Sequence, residues 1–302
     1  MATGGTPRIP SAAAPGQPGL HTLRTWEDLQ RLRADLSSPG RRVLVAGAGY
    51  IGCEIASSCR SLGHDVTVVD PLPLPLGRVV GDLIGRRLSR MLTDHGVGLR
   101  LGRGLAGLTG SAGRVDSARL TDGSVIPVDV VVAAAGVIPA VGWLDGNGLD
   151  LTDGLLCDES LRVRHAALVT AAGDVARWPH RTLGETIKVE HWTNASLSAA
   201  AAARTLLADA EGTEAGPYLE LPSFWSDMFG RRLRGFGLLA GADHVEIEHG
   251  DLEQFRFVAR YVRDGHDVGI LGCGMPKQLA AAHRQLSRSL GERAEAGVPA
   301  LA

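Results

Sequence analysis

Hydrophobic positions in the first half of the chain alternate between the period of a strand and the period of a helix. The continuous apolar run from 43 to 46 is typical of a buried parallel strand, and a second run covers 66 to 69. Between the two runs, apolar residues recur every three or four positions, which predicts a helix. These positions are Ile51, Ile55, Cys59 and Leu62. The order strand, helix, strand predicts a βαβ unit.

Further strand-like segments follow this unit. "VGLRLG" and "VVVAAAG" have the composition of strands, and "VDSARLTDGSVIPVD" contains a turn at Asp122-Gly123 that is typical of a hairpin. A βαβ unit, a β-meander and a returning strand predict one compact α/β domain that closes near residue 140.

The second half has a different pattern. An apolar run from Ala167 to Ala172 leads into Gly173-Asp174, which predicts a buried strand with an acid at its carboxyl end, where open α/β sheets bind ligands. On local pattern alone, Asp174 is also compatible with a helix cap or turn. The Ala-rich segment "ASLSAAAAARTLLADA" predicts a packing helix. From about Pro217 short strands alternate before a final helix from about Pro276, which predicts a small α+β domain.

Composition and charge narrow the possible function classes. The chain has 302 residues, a formal net charge of -2 and a pI near 6.6, which gives no reason to expect nucleic acid or an anionic membrane as a partner. The sequence has no apolar run of the roughly 20 residues that span a bilayer, and we expect a cytoplasmic protein. The four cysteines have no metal-site spacing and are expected to be small buried side chains, so no metal is predicted. Among the histidines, His64, His95 and His180 are expected at the surface or in turns.

The most specific motif lies at the first strand-to-helix junction. Gly47, Gly49 and Gly52 have GxGxxG spacing, which combines a tight turn, close approach of backbone to a pyrophosphate and close packing of helix on strand. Asp70 ends the second strand. It follows the glycines by about 20 residues, the sequence separation at which an acid binds a ribose 2′-hydroxyl. The complete series predicts dinucleotide binding. A carboxylate repels a 2′-phosphate, which favours NADH over NADPH, although Arg78 is close enough in sequence to leave NADPH open.

Several motifs, taken in order, resemble one enzyme family. "ATGGTPR" with "GLHTLRTWEDLQRLR", then "AGAGYIGCE", "TAAGDVA", "VEHWTNA" and "FWSDMFG" are similar to segments of FAD-dependent NAD(P)H:ferredoxin reductases, within the pyridine nucleotide-disulfide oxidoreductase superfamily. Such reductases serve bacterial cytochromes P450 and ring-hydroxylating dioxygenases. The resemblance implies that electrons pass from NADH through FAD to a [2Fe-2S] ferredoxin.

The resemblance also assigns site residues. Glu54 is expected near the nicotinamide, as a positioning residue of the catalytic site. The expected NAD contacts are Gly47, Gly49, Tyr50, Ile51, Gly52, Asp70 and Gly136. The expected FAD contacts are Thr3, Gly4, Gly173, Asp174, Glu190, His191 and Trp192. Trp225 is expected to bind the ferredoxin, with packing as the alternative. Independently of the resemblance, Arg231, Arg232 and Arg234 form a local basic cluster that is expected to attract an acidic ferredoxin, with a solvated basic turn as the alternative.

The expected fold class is α/β, with a Rossmann-like NAD-binding domain inserted in a truncated FAD-binding domain and followed by a small α+β reductase domain. The expected boundaries are 1–15 for the end of the FAD domain and crossing loop, 16–140 for the NAD domain, 141–216 for the remaining FAD segment and 217–302 for the C-terminal domain. We expect the preceding unit, which holds the ADP half of FAD in relatives, to be lacking and activity to be impaired. Either the sequence is an interrupted reductase or another polypeptide supplies this half.

Four sites depart from the family pattern, and two other functions remain open. Ser198 stands where a Gln is expected, Met228 replaces the Gln of "WSDQ", Ala140 replaces an Asn, and Ala134-Ala135-Gly136 replaces a GxG in the preceding strand. These changes concern flavin contacts more than the fold. A disulfide oxidoreductase on the same fold is one alternative function. An NADH-binding, non-catalytic remnant or subunit completed by another chain is the other.

Overall fold

The structure, a computed structural model, describes residues 1–111 and 113–295, so positions 296–302 of the predicted C-terminal domain lie outside the described residues. The helices are α1 Trp26–Asp35, α2 Tyr50–Ser61, α3 Gly77–Asp94, α4 Trp192–Glu211 and α5 Pro276–Glu295, with single 3-10 turns at Gly142–Leu144 and Gly173–Val175. The strands are β1 Gly5–Pro7, β2 Leu20–His21, β3 Arg42–Ala46, β4 Asp65–Asp70, β5 Gly98–Leu101, β6 Leu105–Thr109, β7 Ser117–Leu120, β8 Val125–Pro127, β9 Val130–Ala133, β10 Val137–Pro139, β11 Leu155–Leu156, β12 Ala176–His180, β13 Glu185–Lys188, β14 Ser223–Met228, β15 Arg231–Gly237, β16 His244–Asp251, β17 Arg256–Arg263 and β18 His266–Cys273.

The chain divides into two compact units. The first, here the glycine-loop unit, holds Pro7–Val137 together with Ser226–Arg232. The second, here the α4–α5 unit, holds Met1–Thr6, Ile138–Trp225 and the described residues from Leu233 onward. The C-terminal strands therefore belong to the same compact unit as the segment from 138 to 225, apart from the short stretch 226–232.

The glycine-loop unit is built on a five-stranded parallel sheet. Its strand order is β2-β9-β3-β4-β5. The central strands are mostly apolar because a parallel sheet is covered on both faces; Val45, Val68 and Val131 have no exposed surface. The predicted βαβ unit is confirmed as β3, α2 and β4.

A smaller antiparallel sheet with the order β6-β7-β8 belongs to the same unit and confirms the predicted meander. The turn between β7 and β8 forms at Asp122-Gly123. Gly123 has a φ of +83°, in the left-handed region that favours glycine, and Asp122 Oδ1 accepts the Ser124 N–H at 3.0 Å.

The α4–α5 unit contains a five-stranded sheet with the order β14-β15-β18-β17-β16. The pairs β15–β18, β18–β17 and β17–β16 are antiparallel. Helix α5 packs on β18 through an apolar stripe that includes Leu279, Leu286 and Leu290. A three-stranded sheet, β11-β12-β13, carries the fully buried Trp178 on its central strand. These observations confirm an α/β fold followed by a C-terminal α+β region.

The prediction of a strand from Ala167 to Ala172 is wrong. Only Thr170 forms a bridge, to Arg162, and Leu168 is 72% exposed. A strand needs a continuous ladder on a neighbour, whereas this segment makes scattered bonds: the Ala171 N–H donates to Leu161 and the Ala172 N–H to the Met1 carbonyl. The apolar composition reflects burial of Ala171 and Ala172 rather than sheet formation.

None of the helices within residues 1–111 and 113–295 combines the length and apolarity needed to cross a bilayer.

Candidate functional site

The glycine loop connects β3 to α2, and two of its glycines are required by sterics. A Cβ on Gly47 would lie 2.2 Å from the Ala134 carbonyl oxygen, and one on Gly52 would lie 1.9 Å from the Gly47 carbonyl oxygen. Gly47 also has a φ of +123°. At Gly49, by contrast, a Cβ would meet nothing within 4 Å. The space beside Gly49 is therefore open, as the approach of a pyrophosphate to the backbone requires.

The start of α2 carries no side-chain cap. Gly49 is the N-cap residue, with extended backbone angles, and it makes no side-chain cap bond to the helix. Tyr50 and Ile51 are the first two helical residues, and Ile51 is 49% exposed. The positive end of the helix dipole and its N–H groups thus lie beside the open space at Gly49, an arrangement that suits a phosphate.

The same glycine spacing occurs a second time without this structure. Gly102, Gly104 and Gly107 also match GxGxxG, but they run from the end of β5 into β6, with no helix after them. The spacing alone therefore does not identify a phosphate loop. The helix that follows Gly47, Gly49 and Gly52 distinguishes the two matches.

Asp70 is bound to the glycine loop by hydrogen bonds. Its Oδ2 accepts the Ala48 N–H at 2.7 Å, and its Oδ1 accepts the Leu72 N–H at 2.7 Å. Each carboxylate oxygen has a second lone pair, which is the acceptor that a ribose hydroxyl would use. Across the sheet, Gly136 follows β9 with a φ of +88°, and its carbonyl accepts the Arg8 N–H at 2.9 Å.

Glu54 lies on the second turn of α2 and binds the segment 226–232 of the same unit. Its Oε1 accepts both the Ser226 hydroxyl at 2.6 Å and the Asp227 N–H at 3.0 Å. One turn along α2, Ser57 Oγ accepts the Phe229 N–H at 2.8 Å. These contacts could not be predicted from local patterns, because they join residues 172 or 173 positions apart and serine has no distinctive pattern.

In the α4–α5 unit, the Gly173–Val175 turn packs against the start of α4. The Gly173 N–H donates to the buried Ser198 Oγ at 3.0 Å, and the Ser198 hydroxyl donates to the Asn194 carbonyl at 2.6 Å. Gly173 has a φ of +72°, and a Cβ there would lie 3.4 Å from that of Ala195. Ser198, the departure from the family pattern, therefore fixes the turn that carries Asp174.

Two further predicted flavin residues, Thr3 and Gly4, both bind the backbone of Ala140. Thr3 Oγ1 donates to the Ala140 carbonyl at 2.9 Å, and the Gly4 carbonyl accepts the Ala140 N–H at 2.8 Å. Gly154 lies between Pro139 of β10 and the Gly173–Val175 turn, since a Cβ on it would lie 3.7 Å from the Pro139 Cβ and 2.4 Å from the Val175 carbonyl oxygen.

Charged and aromatic side chains surround the first turn of α4. Glu190 pairs with Lys188 at 2.9 Å; although burial lowers the pKa of Lys188, its bonds to Asp153 and Glu190 raise that pKa overall. His191 is the N-cap residue of α4, and burial lowers its pKa while the charge of Asp174 acts in the opposite direction. Trp192 is 73% exposed.

The predicted partner residues are exposed, but they differ in their contacts. Trp225 is 44% exposed and meets Trp192 edge to face, with ring centroids 6.2 Å apart. Arg232 forms a two-point ion pair with Asp227, at 2.8 and 2.7 Å. Arg234 lies 5.3 Å from the Phe236 ring centroid, and Arg231 is exposed at the start of β15. Arg232 is thus committed to an internal contact.

Two of the histidines expected at the surface are buried. His64 and His180 each have 1% exposure, and His95 stacks on Phe229 with ring centroids 4.0 Å apart. His64 follows the turn at the end of α2, and His180 ends β12 just before the turn into β13. All four cysteines are buried, and burial raises the pKa of Cys53 to about 12. Within residues 1–111 and 113–295, no group of three His, Cys, Asp or Glu residues is placed to hold a metal ion.

Comparison with known families covers most of the chain. Residues 1–199 match the family described as "Pyridine nucleotide-disulphide oxidoreductase", and residues 223–297 match the "Reductase C-terminal" family. Both matches run through the residues assembled above, from the glycine loop to Trp225.

The chain is also similar to individual proteins. It is 31% identical to rhodocoxin reductase of Rhodococcus erythropolis, covering 96% of this chain and 66% of that protein. It is 33% identical to the anthranilate 1,2-dioxygenase system ferredoxin--NAD(+) reductase component of Burkholderia cepacia, covering 95% and 69%. The crystal structure of a covalent putidaredoxin reductase-putidaredoxin complex matches with a TM-score of 0.88 at 27% identity, covering 95% and 68%. The chain thus spans about two thirds of the length of these proteins. It belongs to the ferredoxin reductase group of the pyridine nucleotide-disulphide oxidoreductase family.

Proposed function

We propose that this chain takes part in passing electrons from NADH through FAD to a [2Fe-2S] ferredoxin, which serves a cytochrome P450 or a ring-hydroxylating dioxygenase. The observation that carries the proposal is the glycine loop, in which Gly49 is open to a ligand while the Asp70 carboxylate is held against the loop backbone. The names of the relatives, which include reductase components of dioxygenase systems, support the choice of acceptor.

The residues of the glycine-loop unit fit a dinucleotide. The uncapped first turn of α2 would bind the pyrophosphate, and Asp70 would accept from the ribose hydroxyls. A second negative charge beside Asp70 would be repelled, so a 2′-phosphate is disfavoured and NADH is preferred over NADPH. Gly136, after the neighbouring β9, and Glu54 would contact the nicotinamide side.

The residues of the α4–α5 unit fit the flavin. Asp174, on a turn fixed by Ser198, would bind the ribityl chain. Thr3, Gly4, Glu190, His191 and Trp192 would surround the ring system. When bound, the flavin accepts a hydride from NADH and releases the two electrons singly to ferredoxin. No side chain of this chain is needed as an acid or base for hydride transfer, so its residues act by binding and orientation.

The partner contacts would come from Trp225, Arg231 and Arg234. Exposed cations attract an acidic ferredoxin over a distance, and an exposed indole adds apolar contact at close range. Arg232 is expected to contribute less because it is paired with Asp227. We place the reaction in the cytoplasm, where thiols such as the four buried ones stay reduced.

A second candidate function is that of an NADH-binding subunit without redox activity of its own. Every predicted NAD contact lies in the glycine-loop unit and every predicted flavin contact lies in the α4–α5 unit, so one cofactor can bind without the other. Impaired electron transfer by this chain alone, as the sequence predicts, would agree with this function.

Ferredoxin reduction separates the two functions. The chain is incubated with FAD, freed of excess flavin, and mixed with NADH and a [2Fe-2S] ferredoxin while the ferredoxin absorbance is followed. Reduction that depends on both NADH and FAD supports the reductase. NADH binding without flavin retention or ferredoxin reduction supports the binding subunit, and absence of NADH binding contradicts both.

A further inference from the structure

The two oxygens of the Glu54 carboxylate are in different states. Oε1 accepts two hydrogen bonds, from the Ser226 hydroxyl at 2.6 Å and from the Asp227 N–H at 3.0 Å. Oε2 accepts no hydrogen bond from the described residues. A carboxylate has acceptor capacity on both oxygens, so Glu54 keeps half of its capacity for a further donor.

The donors to Oε1 are themselves well fixed. Ser226 has no exposed surface, so its hydroxyl has little freedom to bind water instead. The segment 226–232 ends β14 and reverses through Phe229-Gly230, whose φ angles of +49° and +71° form the tight two-residue turn of a hairpin. A left-handed phenylalanine is uncommon and needs support from its surroundings.

That support comes from α2 and from the end of α3. Ser57 Oγ accepts the Phe229 N–H at 2.8 Å, and the Phe229 ring stacks on His95 with an interplanar angle of 21°. Glu54 and Ser57 are three residues apart and therefore lie on the same face of α2. Glu54 and Ser57 of α2 thus both bind this hairpin. Of the two, only Glu54 has a predicted role at the cofactor.

We propose that Ser226 and the Asp227 N–H are positioning groups for Glu54, which hold its carboxylate so that Oε2 accepts the carboxamide N–H of a bound nicotinamide. This inference rests on the proposed binding of NADH. It adds to that function a residue, Ser226, that comes from the C-terminal part of the chain and has no direct contact with the cofactor in the proposal. Losing the hydroxyl frees a rotamer-rich carboxylate, which weakens a hydrogen bond to a charged group.

The test compares two serine variants. Each removes one hydroxyl from the contact between α2 and the hairpin. Ser226→Ala removes the donor to Glu54, whereas Ser57→Ala removes the acceptor for Phe229 and leaves Glu54 its two bonds. Binding of NADH and of ADP-ribose, which lacks the nicotinamide, is measured by calorimetry on both variants and the native chain. We expect Ser226→Ala to weaken NADH binding about tenfold with ADP-ribose unchanged. Ser57→Ala is expected to leave the ratio of the two affinities at its native value.

Further outcomes decide the remaining cases. Ser226→Thr keeps the hydroxyl, and recovery of the native affinity ratio would confirm that the hydroxyl, rather than packing, acts on Glu54. An equal loss of NADH and ADP-ribose binding in Ser226→Ala, or the same change of ratio in Ser57→Ala, would overturn the inference in favour of a structural role. If the native chain binds neither ligand, the proposed function itself fails. If it binds both and Ser226→Ala matches it, only the positioning role fails.

Discussion

Asp70 accepts a hydrogen bond from the Ala48 N–H at 2.7 Å, so the acid at the end of β4 is tied to the glycine loop that precedes it by 22 positions. Its other oxygen accepts the Leu72 N–H at 2.7 Å. The carboxylate is therefore oriented before a ligand binds, and the cost of fixing its rotamer is met in folding. The acid that would select the cofactor also stabilises the loop that would hold the phosphates.

Replacing Asp70 by Asn tests this double role. An amide has only one acceptor oxygen, so one of the two backbone N–H groups faces an NH2 group. We expect Asp70→Asn to weaken NADH binding roughly 10- to 100-fold, as for the loss of about 1.5–3 kcal/mol from a charged hydrogen bond. The variant should also lose the preference for NADH over NADPH. Asp65→Asn, at the exposed start of β4, is the matched control and should bind both nucleotides as the native chain does.

Calorimetric titrations with NADH and NADPH give both affinities for each variant. Unchanged nucleotide binding in Asp70→Asn would show that the carboxylate serves the loop alone.

Two glycines of the loop, Gly47 and Gly49, should respond differently to alanine. Gly47→Ala would place a methyl group 2.2 Å from backbone, and we expect it to destabilise the fold by several kcal/mol (~3 or more). Gly49→Ala meets no protein atom within 4 Å and keeps an allowed φ of -76°, so the unfolding free energy should stay within about 1 kcal/mol. NADH binding should nevertheless fall, because the methyl group occupies the space of the pyrophosphate. Denaturant unfolding and NADH titration of the same preparations separate these effects, and full NADH affinity in Gly49→Ala would place the phosphates elsewhere.

Removal of the Ser198 hydroxyl should loosen the turn that carries Asp174. Ser198→Ala leaves the Gly173 N–H without its buried acceptor, and we expect a loss of about 1–3 kcal/mol in unfolding free energy. Flavin retention should fall as well. Ser196→Ala, on the exposed side of the same helix, is the control and should retain stability and flavin. Chemical denaturation of both variants checks the first expectation; equal stabilities would mean that the Gly173 N–H finds another acceptor.

Protonation of His180 should destabilise the fold in mild acid. Its Nδ1 accepts the Leu183 N–H at 3.3 Å, so Nε2 donates to the Glu220 carbonyl at 3.2 Å, and the ring is neutral. Burial lowers the pKa of His180 below its ordinary value near 6.5. As the pH falls below about 6.5, the unfolded chain binds a proton that the folded chain does not.

Stability is therefore fully present above pH 6.5 and declines below it, by up to about 1.4 kcal/mol per pH unit from this residue. Urea unfolding between neutral pH and pH 5 measures the slope, which should be shallower in His180→Gln by this amount. The pKa values of His191 and His283 are also lowered, chiefly by burial, so part of the slope should remain. A native slope equal to that of His180→Gln would contradict the assignment.

Local patterns predicted the main elements of the glycine-loop unit because each of these patterns is short in sequence. The period of α2, the apolar runs of β3 and β4, and the turn at Asp122-Gly123 follow from residues within a few positions of one another. The glycine spacing by itself was not sufficient, since Gly102 has the same spacing and precedes a strand. Only the position before a helix identifies the loop at Gly47.

Contacts between distant segments could not be predicted in the same way. The bonds of Glu54 to Ser226 and of Gly173 to Ser198 depend on how the chain folds back, and a serine in either position has no recognisable pattern. The apolar run from Ala167 to Ala172 had the composition of a strand, but a strand also needs a neighbouring partner along its length. Burial of His64 and His180 likewise depends on packing by residues far away in the sequence.

Reduction of bound flavin by NADH decides whether the two groups of residues work together in one reaction. The chain is loaded with FAD, separated from free flavin and titrated anaerobically with NADH, while the visible absorption band of the flavin is recorded for the native chain and for Gly49→Ala. We expect the native band to bleach with about one equivalent of NADH, and the band of the variant to persist at the same concentration. A flavin band that stays unchanged in the native chain, with NADH bound, would contradict electron transfer by this chain.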